Sequence, residues 1–97
     1  MIIVRQEERG NSFRVEVTGH AGYAKTGEKD MVCAAATILI RALAEIVDES
    51  GHGQQVLAPG DSVVRGSGHE EYLAYKTVMT GFRLLEQNYP DNLQIRG

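Results

Sequence analysis

With 97 residues, 42% apolar and 24% charged, the chain has material for one compact domain and the balance of a folded one, not a disordered one. A formal net charge of −3 argues against a nucleic-acid partner, which needs a basic footprint, and leaves room for a basic protein. No run nears the roughly 20 apolar residues that span a bilayer, no signal peptide opens the chain, and the one cysteine has no mate, so a reducing cytoplasm is expected.

Residues 2–8 begin with β-branched side chains, Arg9-Gly10-Asn11 supplies a turn, and residues 12–18 alternate. Phe13, Val15 and Val17 share one face, and the pair reads as a hairpin. From Gly19 to Lys29 periodicity disappears and three glycines occur. Helical spacing then runs from Asp30 to about Glu49, with Val32, Ala36, Leu39, Leu43, Ile46 and Val47 in one stripe, Asp30 as N-cap and Gly51 past the end. Two short strands follow, around Gln55–Leu57 and Ser62–Arg65, across the turn Ala58-Pro59-Gly60-Asp61.

Ser67 with Glu70 resembles a capping box for a second helix over 69–88, facing inward through Ala74, Val78, Phe82, Leu85 and Tyr89. Gly81 marks a close approach within it. Pro90 ends it, and Leu93 and Ile95 alternate in a last strand. The order β-β-α-β-β-α-β, with no alternating crossover pattern, predicts an α+β domain. Two helices should cover one face of a mainly antiparallel sheet, leaving the other as a candidate dimer surface.

The segment from Thr18 to Thr37 carries the chemistry. His20 follows a strand, a glycine-rich loop comes next, and Cys33 falls at the third helical position if Asp30 caps the helix. A helix N-terminus stabilises a thiolate, the nucleophilic form, and the loop is long enough to bring His20 against Cys33 as base. The plainer reading makes Cys33 a small apolar residue and His20 a turn residue. Against it stand the position of Cys33 at a helix start, beside Val32 and out of step with the stripe, and the surplus of glycine in the loop. Asp30 reads as a cap or as a third member orienting His20. Its carboxylate would disfavour the thiolate unless His20 is charged, so the roles compete.

Other candidates are weaker. His52 and His69 lie in glycine-rich surroundings and read as solvated, and a zinc site built with His20 and Cys33 lacks ligand spacing. Arg65-Gly66-Ser67-Gly68 is a thin phosphate signal, so no cofactor is expected.

Gly19-His20-Ala21-Gly22-Tyr23-Ala24, then Gly27, then Asp30 with Val32-Cys33-Ala34-Ala35, closely resembles the signature of the ribosomal-processing cysteine protease family Prp. Phe82, Leu85, Glu86 and Tyr89-Pro90 agree with it. The resemblance covers the chain end to end, with its specificity in the His-to-Cys segment. It implies a bacterial endopeptidase that removes an N-terminal extension from large-subunit ribosomal protein L twenty-seven, cutting after a pair of phenylalanines and before a small residue. It also implies a homodimer, His20 and Cys33 as catalytic dyad, and Asp30 as the signature aspartate.

Two departures stand out. One extra residue falls among Glu28 and Lys29, and Thr37 takes the place of a serine, keeping a hydroxyl one turn beyond Cys33. Tyr23 and Met31 are the nearest candidates to line a pocket for the aromatic side chain. The rival readings are a non-enzymatic ribosome-assembly factor that binds the same protein without thiol chemistry, and a small metal-dependent domain.

Overall fold

The hairpin expected at the N-terminus is the centre of the sheet. In a computed structural model, which describes residues 1–19 and 28–97 and only the backbone of 28–30, β1 (Ile2–Arg9) and β2 (Ser12–Gly19) pair antiparallel from Ile2 opposite Gly19 to Arg9 opposite Ser12. Gly10, at φ 59°, supplies the left-handed conformation at the tip. After α1 (Glu28–Ser50) come β3 (Gly53–Ala58) and β4 (Asp61–Ser67), then α2 (His69–Asn88) and β5 (Leu93–Arg96). The sheet order is β3-β4-β2-β1-β5, antiparallel except for the β1–β5 pair. The domain is α+β, in the expected element order.

Alternation along the strands decides which residues meet the helices. Ile2, Val4, Phe13, Val15, Val64 and Leu93 are buried toward them, and Val32, Ala36, Ile40, Leu43, Ala44 and Val47 come down from α1. From α2 come Tyr75, Val78, Met79 and Phe82. Both stripes are turned slightly from the expected ones: Ile40 completes the first while Ile46 is exposed, and Tyr75 and Met79 join the second. Tyr75 stacks on Phe13 with centroids 4.6 Å apart and donates a hydrogen bond to Gln6 Oε1 at 2.7 Å. Burial pushes its phenol well above the ordinary value of 10. The opposite sheet face is uncovered and charged, with Glu16 reached by Arg14 at 3.2 Å and by Arg5 at 3.9 Å.

Gly81 does mark a close approach: a Cβ there would lie 2.6 Å from Leu39 Cδ2. Two expectations about helix starts need correction. Glu28 and Lys29 are adequate helix formers and carry α1 most of a turn earlier than expected, so Asp30 lies inside the helix rather than capping it, and Cys33 is its sixth residue. Ser67 is spent on β4, paired with Ser12, so it cannot cap α2. The N-cap is Gly68, without a side-chain cap bond, and Glu71 rather than Glu70 turns back over that end.

Among the described residues no helix is long and apolar enough to cross a membrane.

Candidate active site

Cys33 and the end of β2 meet at one groove. Its volume is about 400 Å³. One wall is a face of α1, presenting Cys33, Ala36, Thr37, Ile40 and Arg41, residues that helical geometry brings to one side at steps of three and four. The floor is Ile2, Val17 and Gly19, and the facing wall is the β3–β4 hairpin tip from Leu57 to Ser62. Pro59 pre-sets the first turn dihedral, and Gly60, at φ 72°, takes the positive φ that the second position demands. The Gly60 carbonyl accepts a hydrogen bond from the Gly19 amide at 2.9 Å, which ties the hairpin tip to the last residue of β2.

Cys33 is free and half-buried, packed against the core with an opening onto the groove. His20 follows Gly19 directly, so the chain leaves the groove floor at the residue before the expected base. His20 itself, Tyr23 and the glycine loop through Gly27 lie outside the described residues, as does the side chain of Asp30. Thr37 stands on the groove wall beside Cys33. Met31 does not line the groove; it is 54% exposed.

The groove lining contains several residues that sequence reasoning did not place at the site. Ala36, Ile40 and Arg41 were within reach of it, since they follow Cys33 at helical intervals. Leu57, Pro59 and Ser62 were not, because only the order β3-β4-β2 carries the hairpin tip to the end of β2.

Away from the groove, His52 Nδ1 lies 2.8 Å from Glu71 Oε2, joining the end of α1 to the start of α2. The Glu71 carboxyl is held below its ordinary value by a hydrogen bond from its own backbone amide, then by bonds to Ser50 and His52. Among the described residues no three His, Cys, Asp or Glu side chains are placed to hold a metal.

A free thiol on a helix wall, opening onto a groove large enough to seat a peptide side chain, supplies two of the parts a cysteine peptidase requires, a nucleophile and a seat for substrate. Comparison with known families makes the assignment. The model of the cysteine protease Prp matches residues 1–94, and the chain belongs to that family and is a cysteine protease.

Solved structures share the fold. The ribosomal processing protease Prp from S. aureus in complex with a substrate peptide superposes with TM-score 0.82 at 20% identity, covering 99% of this chain and 98% of that one. The same enzyme with a covalently linked product peptide gives 0.79 at 20% identity over the same shares. SMU.848 from Streptococcus mutans gives 0.76 at 24% identity, covering 99% of this chain and 92% of that one. No curated protein matches.

Proposed function

We propose that this chain is a cytoplasmic endopeptidase that removes the N-terminal extension of large-subunit ribosomal protein L twenty-seven, cutting after an aromatic residue. The observation that carries this reading is the apolar groove beside Cys33, walled by Ala36, Ile40 and Leu57 and floored by Ile2 and Val17. It would take the side chain preceding the cut. The substrate peptide and the covalent product peptide bound by the S. aureus relative support the same reading.

In this mechanism His20 takes the Cys33 proton, and the thiolate sulfur forms a bond to the scissile carbonyl carbon. The C–N bond breaks as the imidazolium returns the proton to the leaving amine. His20 then takes a proton from water, the hydroxide attacks the thioester, and the C–S bond breaks to release the extension and restore Cys33. Asp30, in the first turn of α1, would orient His20.

The acidic chain would also attract a basic ribosomal protein at long range. Assembly as a homodimer belongs to this reading. It is better supported by the apolar groove of Ile38, Leu39, Gly81, Leu84 and Leu85 between α1 and α2 than by the charged sheet face. Light scattering of wild type and Ile38→Glu, expected as dimer and monomer, tests it.

The deciding experiment incubates wild type and Cys33→Ala with a peptide carrying Phe-Phe-Ala and reads the products by mass spectrometry. Cleavage after the second phenylalanine by wild type alone is expected. Binding without cleavage by either selects the assembly-factor reading. Losing the aromatic contact removes roughly 2–3 kcal/mol, so replacing that phenylalanine by alanine should lower kcat/KM about 30- to 150-fold.

A further inference from the structure

Arg41 is one of two charged residues that line the groove, the other being Asp61, and it has no assigned purpose. It lies two helical turns beyond Cys33 on the same wall, with Thr37 between them. Among the described residues no ion pair or hydrogen bond holds its guanidinium, and its side chain is exposed. Asp61 borders the groove from the hairpin tip, but strand alternation puts its side chain with Val63 and Arg65 on the far face of the sheet. The charge offered to a bound peptide from these walls is therefore positive.

We propose that Arg41 is a specificity residue that reads a carboxylate side chain on the substrate, three to four residues from the cleaved bond. The position follows from two repeats. Eight residues of α-helix rise about 12 Å, and an extended peptide covers that length in three to four residues at about 3.3 Å each. A peptide with its scissile carbonyl at Cys33 and its chain along α1 meets the guanidinium at that point. Arginine's fixed fork of donors suits a carboxylate in two-point contact. The inference rests on the peptidase reading above and adds a second recognition point to the aromatic pocket.

The test uses a Phe-Phe-Ala peptide with glutamine at the third and fourth positions on either side of the cut. Each position is changed singly to glutamate or lysine. The readout is the ratio of kcat/KM for the glutamate peptide to that for the glutamine peptide, which cancels any general loss of activity in a variant. Wild type should prefer glutamate about tenfold at one of the four positions, as expected for a partly exposed charge-assisted bond. Arg41→Gln should bring that ratio to one, and Arg41→Glu should reverse it so that the lysine peptide is preferred. If wild type cuts the glutamine peptide without any charge preference, or if the preference survives in Arg41→Glu, the Arg41 inference falls and the peptidase reading stands. If wild type cuts none of the peptides, both fall.

Discussion

Thr37 stands one helical turn beyond Cys33 on the wall of the same groove. A hydroxyl one turn from the proposed nucleophile can hydrogen-bond a peptide lying against α1. Thr37→Val keeps the shape and removes the hydroxyl, so kcat/KM should fall about tenfold, while Thr37→Ser should stay close to wild type. Equal activity in the valine variant would reduce Thr37 to a piece of wall.

A second prediction concerns the contact between the helices. A Cβ on Gly81 would lie 2.6 Å from Leu39 Cδ2, 3.0 Å from Cδ1 and 3.4 Å from Cγ, so the whole end of the leucine covers the glycine. Turning one methyl aside does not relieve it. Overpacking of this kind costs roughly 1–3 kcal/mol, against which alanine returns about 1 kcal/mol of helix propensity. Gly81→Ala should therefore lose about 1 kcal/mol in urea unfolding. In a Leu39→Ala background the same change should stabilise, and additive effects in the double mutant would mean the two residues do not compete for space.

The elements were legible because their signals are local. Strict alternation at Phe13, Val15 and Val17, and the turn residues Gly10-Asn11 and Pro59-Gly60, mark strands and hairpins without reference to the rest of the chain. Helix α2 runs over 69–88 as its spacing suggests. The helix starts were less legible, since a cap depends on what a residue is otherwise doing. Ser67 has the chemistry of a cap but is held in β4, and Glu71 takes over that end through contacts with Ser50 and His52 that no short-range pattern shows. The thiol was legible as a single cysteine beside Val32 and out of step with the stripe, but its place at the helix start was not, because α1 begins at Glu28 and Cys33 is its sixth residue. Nor was its groove, because Ile2, Val17 and Leu57 reach Cys33 only after the sheet is assembled.

The clasp between His52 and Glu71 gives a pH prediction with a definite sign. The Glu71 carboxyl is held below its ordinary value of 4.5, so the folded protein binds that proton more weakly than the unfolded chain does. Its contribution to stability is complete above the unfolded value and is lost as pH falls through the lower folded one. Glu71→Gln has no charge to lose. Urea midpoints should show wild type ahead of Glu71→Gln at about pH 7, with the gap narrowing as the pH falls below 4.5. A gap that does not change with pH would assign Glu71 a packing role alone.

The last prediction tests how β2 delivers the chain to His20, the proposed base. Gly19 adopts φ 87°, and a Cβ there would collide with the Met1 carbonyl oxygen. Its amide is already committed to the Gly60 carbonyl at 2.9 Å, so the residue cannot shift without also disturbing the hairpin tip that walls the groove. His20 is the next residue. Gly19→Ala should therefore damage both stability and turnover. Gly10 is the natural control: it has φ 59° at the opposite end of the same hairpin, with nothing within 4 Å of where a Cβ would stand and no part in the groove. Gly10→Ala should cost about 1 kcal/mol of stability through its backbone conformation alone and leave kcat/KM as in wild type. Gly19→Ala should lose more than that in unfolding and at least tenfold in kcat/KM, measured well below its melting temperature so that only folded enzyme is compared. If Gly19→Ala cleaves as fast as Gly10→Ala, the direction in which β2 ends does not position the base.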